Sequence, residues 1–150
     1  MAATRGGGSG EARHATSWSK PILWGVAVGL VQAFSPFGFW WLAPTVVWSL
    51  ALAIIASVYV GFAVADGRPS VLAVEIAVTF AFVVVAAIAV VASPWLSVVA
   101  LVAHGLKDLW QHRTQFVANT RWWPPFCLVV DFVAATVIAV LLLTDAHLRA

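Results

Sequence analysis

An all-α membrane bundle of about five transmembrane helices is the fold this chain predicts, and three observations predict it. Hydrophobic residues make up 63% of the 150 and charged residues 9%, against roughly 45–50% and about 25% in soluble domains. A water-facing surface cannot be covered with that composition. The apolar residues gather in runs near 20 long, the length that crosses a hydrocarbon core as a helix. No run sustains the alternation of a strand, and an open sheet would leave unpaired edges in lipid. A soluble domain, a disordered chain and nucleic-acid binding are thereby excluded, and the lipid bilayer is the expected partner.

Residues 1–17, with GGGSG and scattered charge, read as a flexible cytoplasmic tail that cannot bury enough apolar surface to offset chain entropy. Residues 18–150 form the single helical domain. The first span, 21–42, is too long for a signal-peptide core and lacks an A-x-A site, so it reads as an uncleaved anchor. Ser35-Pro36-Phe37-Gly38 must bend or break it, giving one bent helix or a shorter helix followed by a re-entrant or interfacial FGFWW segment. Gly25 and Gly29 in this span form a GxxxG, suited to close helix approach inside the bundle. Four further spans follow at 44–65, 71–92, 94–111 and 125–143. Pro44, Pro94, Pro124 and Pro125 fall at or just before helix starts, where a missing N–H costs nothing. Cys127 is the single cysteine, which excludes an internal disulfide and reads as a packing residue.

Orientation follows from the basic residues, which concentrate on the cytoplasmic side of membrane proteins. With five spans, one side carries Arg5, Arg13, Lys20, Arg68, Lys107, Arg113 and Arg121, and the other only Arg149. The N-terminus is therefore expected in the cytoplasm and the C-terminus outside, in a multi-pass protein of the cell (inner) membrane. Trp18, Trp110, Trp122 and Trp123 then fall at the cytoplasmic interface. Trp40, Trp41 and Trp95 fall at the outer one, as aromatic belts do.

Ionisable residues inside spans are costly and mark function by default. Here they are Glu75, His104, Asp108 and Asp131, with His112 at a boundary. At about 1.5 Å per residue, the first four lie roughly 5–12 Å inside one interface. Residues remote in sequence thus share a depth. His104, Asp108 and His112 recur at i, i+4 and i+8 and stack along one helix. His104 and His112, about 12 Å apart axially, cannot hold one ion together, but either can share one with Asp108. Imidazole and carboxylate suit a divalent transition metal such as zinc. Glu75 and Asp131 would complete three or four ligands and leave a position for water, made nucleophilic at neutral pH by the metal.

Other readings of the same residues stand beside this one. Proton relay through the carboxylates is physically sound. Asp108 can pair with Arg113 or Arg121, and His104 can hydrogen-bond Asp131 or Glu75 as helix glue worth on the order of 1 kcal/mol. Glu75 can snorkel to water, and His112 can be simply interfacial. Gln32, deep on the first span, can reach the polar layer or a neighbouring helix.

The segment HGLKDLWQHR (His104–Arg113) followed by WWPPFCLVVD (Trp122–Asp131) resembles a signature of short bacterial integral membrane proteins. Its two halves read H-x3-D-x3-H and W-x-P-x-F-C-x3-D, and the resemblance implies no activity. A weaker similarity, by residue type at His104, Asp108 and His112, is to membrane hydrolases of the alkaline ceramidase and adiponectin receptor group. It implies zinc held by histidines with acidic helpers near the cytoplasmic side of a helical bundle. The chain departs from that group in its five expected spans rather than seven, and in having no third intramembrane histidine.

The expected function is a cytoplasm-facing His/Asp/Glu cluster that binds a divalent metal or protons, in the service of metal-dependent hydrolysis of a lipid-like substrate. The alternative is a non-catalytic transport or membrane-complex assembly subunit whose buried carboxylates carry protons or pair with partner helices. An odd number of spans leaves no inverted repeat within one chain, so transport would need a homodimer or a membrane-protein partner. No phosphate loop, hydrolase elbow or HExxH motif is present, and no catalytic residue is assigned.

Overall fold

Proline and glycine set most of the helix boundaries. The computed structural model describes residues 19–118 and 120–149. Within them stand five α-helices: α1 (Ser19–Phe34), α2 (Pro44–Asp66), α3 (Pro69–Ala92), α4 (Trp95–Thr114) and α5 (Trp123–Arg149). The expected tail, with Arg5, Arg13 and Trp18, lies outside the described residues. Pro44 and Pro69 open α2 and α3, where a missing N–H has no helical partner to lose. α2 stops at Gly67, whose φ of 79° turns its N–H back to the Ala63 carbonyl. α3 and α5 begin at Pro69 and Trp123 rather than at 71 and 125, because a helix tolerates prolines in its first turn.

The first expected span breaks at Ser35-Pro36. Pro36 has no N–H for the Gln32 carbonyl four residues back, and Ser35 Oγ donates to that carbonyl instead, at 2.7 Å. The chain tightens into a 3-10 turn over Ser35–Phe37 and leaves Phe37, Trp40 and Trp41 exposed. α1 is therefore 16 residues long, about 24 Å, against a hydrocarbon core of roughly 30 Å. Among the described residues, Pro44–Asp66, Pro69–Ala92 and Trp123–Asp145 are long and apolar enough to cross a membrane. α4 has the length, but His104, Lys107, Asp108 and Gln111 dilute its apolar character. Five helices form as expected, and three of them meet the membrane criteria.

α1 and α4 pack chiefly on α5, α2 packs on α3, and α3 joins the two groups through α4. Gly25 and Gly29 set the α1–α5 approach. A Cβ on Gly25 would stand 2.9 Å from the Phe126 carbonyl oxygen, and one on Gly29 2.8 Å from that of Val130. The GxxxG thus serves internal packing, and it shows that α1 and α5 run parallel. Leu52, Leu101, Ala134 and Ile138 fill the centre with no exposed surface. Polar bonds fasten helices together around this core. The Trp48 indole donates to the Ala33 carbonyl at 3.0 Å, the Ser49 and Ser97 hydroxyls meet at 3.2 Å, and Thr79 donates to the Ala56 carbonyl at 2.9 Å.

Candidate metal centre

The buried face of α4 runs Ser97, Leu101, His104, Asp108, Gln111, alternate steps of three and four that keep one side of a helix turned inward. A face that opens with Ser97 and Leu101 and ends in His104, Asp108 and Gln111 carries its most polar part into the bundle. His104, Asp108 and Gln111 are at most 1% exposed. Between them Gly105 supplies the clearance for α5, since a Cβ there would lie 2.8 Å from the Phe132 ring and 3.4 Å from Asp131 Cβ. That close approach delivers Asp131, also fully buried, to the histidine.

The result is a compact group. His104 Nδ1 lies 2.7 Å from Asp131 Oδ2 and 3.5 Å from Asp108 Oδ2. One ligand atom from each of the three residues lies within 4.8 Å of the others. The 2.7 Å contact is a hydrogen bond, and the 3.5 Å one is too long to be a good one. His104 Nε2, both Asp108 oxygens and Asp131 Oδ1 are buried with no hydrogen-bond partner among the described residues. Aromatic rings wall the imidazole: Phe82 of α3 meets it edge-on at 5.0 Å, and Tyr59 of α2 stands 6.0 Å away.

Beside this group lies a second polar node. Glu75 of α3 has no exposed surface. Its Oε1 accepts a hydrogen bond from Gln111 Nε2, and its Oε2 lies 2.8 Å from Lys107 Nζ. The same ammonium sits 3.6 Å over the Tyr59 ring, a cation–π contact strengthened by exclusion of water.

Of the sequence candidates, the structure brings together His104, Asp108 and Asp131. It places Glu75 with Lys107 and Gln111 instead. His112 is half-buried and stands outside the group, since eight residues at about 100° each carry it roughly 80° round the helix. Asp108 faces His104 rather than Arg113 or Arg121, and the expected His104–Asp131 hydrogen bond is present.

Sequence reasoning missed Lys107, Gln111 and Tyr59. Lys107 reads as a loop charge that sets orientation, yet it lies within α4 and its side chain is 12% exposed. The signal for Gln111 was available, because it continues the His104–Asp108 face by three residues. Cys127 is a buried packing residue, as expected. No family model, curated protein or solved structure matches this chain.

Proposed function

We propose that this is a small integral membrane protein that binds a divalent metal ion inside its helical bundle, through His104, Asp108 and Asp131. The observation that carries this reading is a charge deficit in a sealed place. Glu75, Asp108 and Asp131 are three carboxylates beside one ammonium, Lys107. With His104 neutral and the carboxylates ionised, the layer holds two excess negative charges away from water. Isolated ions cost far too much there to stand unneutralised. A divalent cation supplies both missing charges and would take up the Asp108 oxygens and Asp131 Oδ1, which have no hydrogen-bond partner among the described residues. An imidazole and two carboxylates suit zinc or a similar transition ion.

Three protein ligands leave a fourth position for water, the plan of hydrolytic zinc sites. A metal held there lowers the pKa of that water toward neutrality. The reaction class this ligand set supports is hydrolysis of a lipid-like substrate, reached from within the membrane. The His104 atom that faces both carboxylates is Nδ1, so an ion held by all three residues would take the place of the His104–Asp131 hydrogen bond, and Phe82 and Tyr59 wall the ring from solvent.

A second reading rests on the 2.7 Å His104–Asp131 bond, which already joins a base to an acid. Two protons neutralise the layer as well as one divalent ion does, and the group then serves proton movement or assembly with partner helices. Elemental analysis of the purified full-length protein separates the two. The metal reading expects close to one transition-metal ion per chain, lost in His104→Ala and Asp108→Asn. Protein that folds fully, activates no water and holds none of the divalent ions after their addition supports the proton reading.

A further inference from the structure

α1 lies along α5 and scarcely touches α2, so a cleft opens between α2 and the α1–α5 pair. It encloses about 500 Å³, within the roughly 300–1,000 Å³ of small-molecule sites. Its walls are apolar, with Val31 from α1, Ile54 and Val58 from α2, and Phe126 and Val130 from α5. Val31 and Ile54 at its rim are 70% and 65% exposed, so in a bilayer the cleft opens sideways into hydrocarbon. Trp123 closes one end, packed against Phe62 and Phe126 at 5.4 and 5.2 Å between ring centres.

Gln32 is the polar exception near the other end. It lines the cleft at 8% exposure, and its Nε2 has no hydrogen-bond partner. Buried amide donors are nearly always paired, so this one calls for an acceptor that the described residues do not supply. Gln32 lies one turn below the Ser35–Phe37 break and the exposed Trp40 and Trp41. Aromatic residues of that kind mark the membrane interface.

The contacts of Gly25 with Phe126 and of Gly29 with Val130 fix the register of α1 on α5. They place Gln32 about eleven residues above Trp123 along α5, roughly 16 Å. The lining continues past Gln32 to Ser35 and Phe39, so the cleft is at least that long and averages no more than about 30 Å² in cross-section, the scale of one hydrocarbon chain.

We propose that this cleft binds one acyl chain of a membrane lipid, with the chain's ester or amide carbonyl accepting a hydrogen bond from Gln32 Nε2 and its tail reaching toward Trp123. This does not depend on the metal reading. The test uses the full-length protein in phospholipid vesicles doped with a diacyl phospholipid that carries a photoactivatable diazirine at the end of one ester-linked chain. Labelling is expected at Ile55, Trp123 and Cys127, and Ala51→Trp, which fills the cleft, abolishes it. Unlabelled ester-linked phospholipid competes roughly five- to tenfold better than its ether-linked analogue, the effect of one hydrogen bond. Gln32→Leu removes that preference. Equal competition by ester and ether overturns the proposal, and so does labelling of the α3 face at Phe80 as strong as that of the cleft. Labelling concentrated at Phe39 and Leu42, or cross-linking of a second protein into the cleft, overturns it too. The competition arm needs only the wild-type chain, so a misfolded variant cannot decide the outcome.

Discussion

Two polar groups lie side by side inside this bundle, one built on Glu75, Lys107 and Gln111 and the other on His104, Asp108 and Asp131, and they differ in how fully their atoms are satisfied. In the Glu75 node each carboxylate oxygen has a partner, Gln111 for one and Lys107 for the other. In the His104 group one 2.7 Å bond serves three residues, and four polar atoms are left over. The better-matched Glu75 node leaves Gln111 Oε1 over, and with the Tyr59 ring under its ammonium it ties α2, α3 and α4 together. The unmatched His104 group offers ligand atoms that could hold a cation. Burial is common to both groups, and what separates them is the size of the unsatisfied remainder.

The largest expected effect comes from breaking the matched node. Lys107→Met strands Glu75 without its counter-ion and is expected to cost about 3–5 kcal/mol, the usual penalty for halving a buried pair. Denaturant unfolding of the purified protein measures it. The double variant Lys107→Met/Glu75→Gln is expected to recover most of that loss. A single variant within about 1 kcal/mol of wild type would show that the two nodes do not differ in this way.

The unmatched node is expected to respond with the opposite sign. In chelator-treated protein, Asp108→Asn removes an unpaired charge and leaves stability unchanged or higher. Addition of the bound metal at about a hundred times its Kd stabilises wild type by about 2.7 kcal/mol and leaves Asp108→Asn unmoved. Thermal unfolding with and without metal reads both arms. A metal response retained in Asp108→Asn would remove that carboxylate from the site.

A smaller effect tests how the unmatched node is assembled. Gly105→Ala brings a methyl group to 2.8 Å from the Phe132 ring, and overpacking of this kind costs about 1–3 kcal/mol. The ring is partly exposed and can yield, so the variant is expected to fold with α4 and α5 eased apart and metal affinity reduced. Phe132→Leu in the same chain is expected to restore affinity, as measured by metal titration. Failure of that rescue would show that Gly105 does not set the spacing.

The two nodes were not equally legible in the sequence. Helix content, the break at Ser35-Pro36 and the shared depth of Glu75, His104, Asp108 and Asp131 all follow from local chemistry: run length, a missing N–H, and residues counted from helix ends. Depth is one coordinate. Which residues meet at that depth depends on the rotation of each helix, and in lipid the apolar runs carry almost no record of it, because every face is apolar. α3 shows this plainly, with few buried positions along 24 residues. Counting along the chain therefore groups Glu75 with His104, whereas the rotation of α3 and α4 turns it to Lys107 and Gln111, and Lys107 reads as an orientation charge although it lies within α4. His112 illustrates the same limit: i+8 spacing looks like one face until the residual rotation is counted.

The smallest expected effect belongs to a third polar group, at the α2–α3 turn, where the cation of the pair is open to water. Arg68 donates to both oxygens of Asp66, at 2.6 and 2.8 Å, and to the Phe116 carbonyl at 2.6 Å. Asp66 also accepts from the Ala118 N–H at 2.7 Å, so the α2–α3 turn is clamped to the segment that follows α4. The Arg68 side chain is 55% exposed while that of Asp66 is covered, so water screens the guanidinium and keeps the pair near the upper end of surface ion pairs, about 1 kcal/mol. Arg68→Ala is accordingly expected to cost under about 1 kcal/mol, with the loss shrinking further in high salt. Asp66→Ala is expected to cost more than Arg68→Ala, because it also frees the Ala118 N–H, and that part is insensitive to salt. Unfolding of both variants at low and high salt checks the order. If Arg68→Ala proved as damaging as Lys107→Met, solvent exposure would not be what separates the two ion pairs.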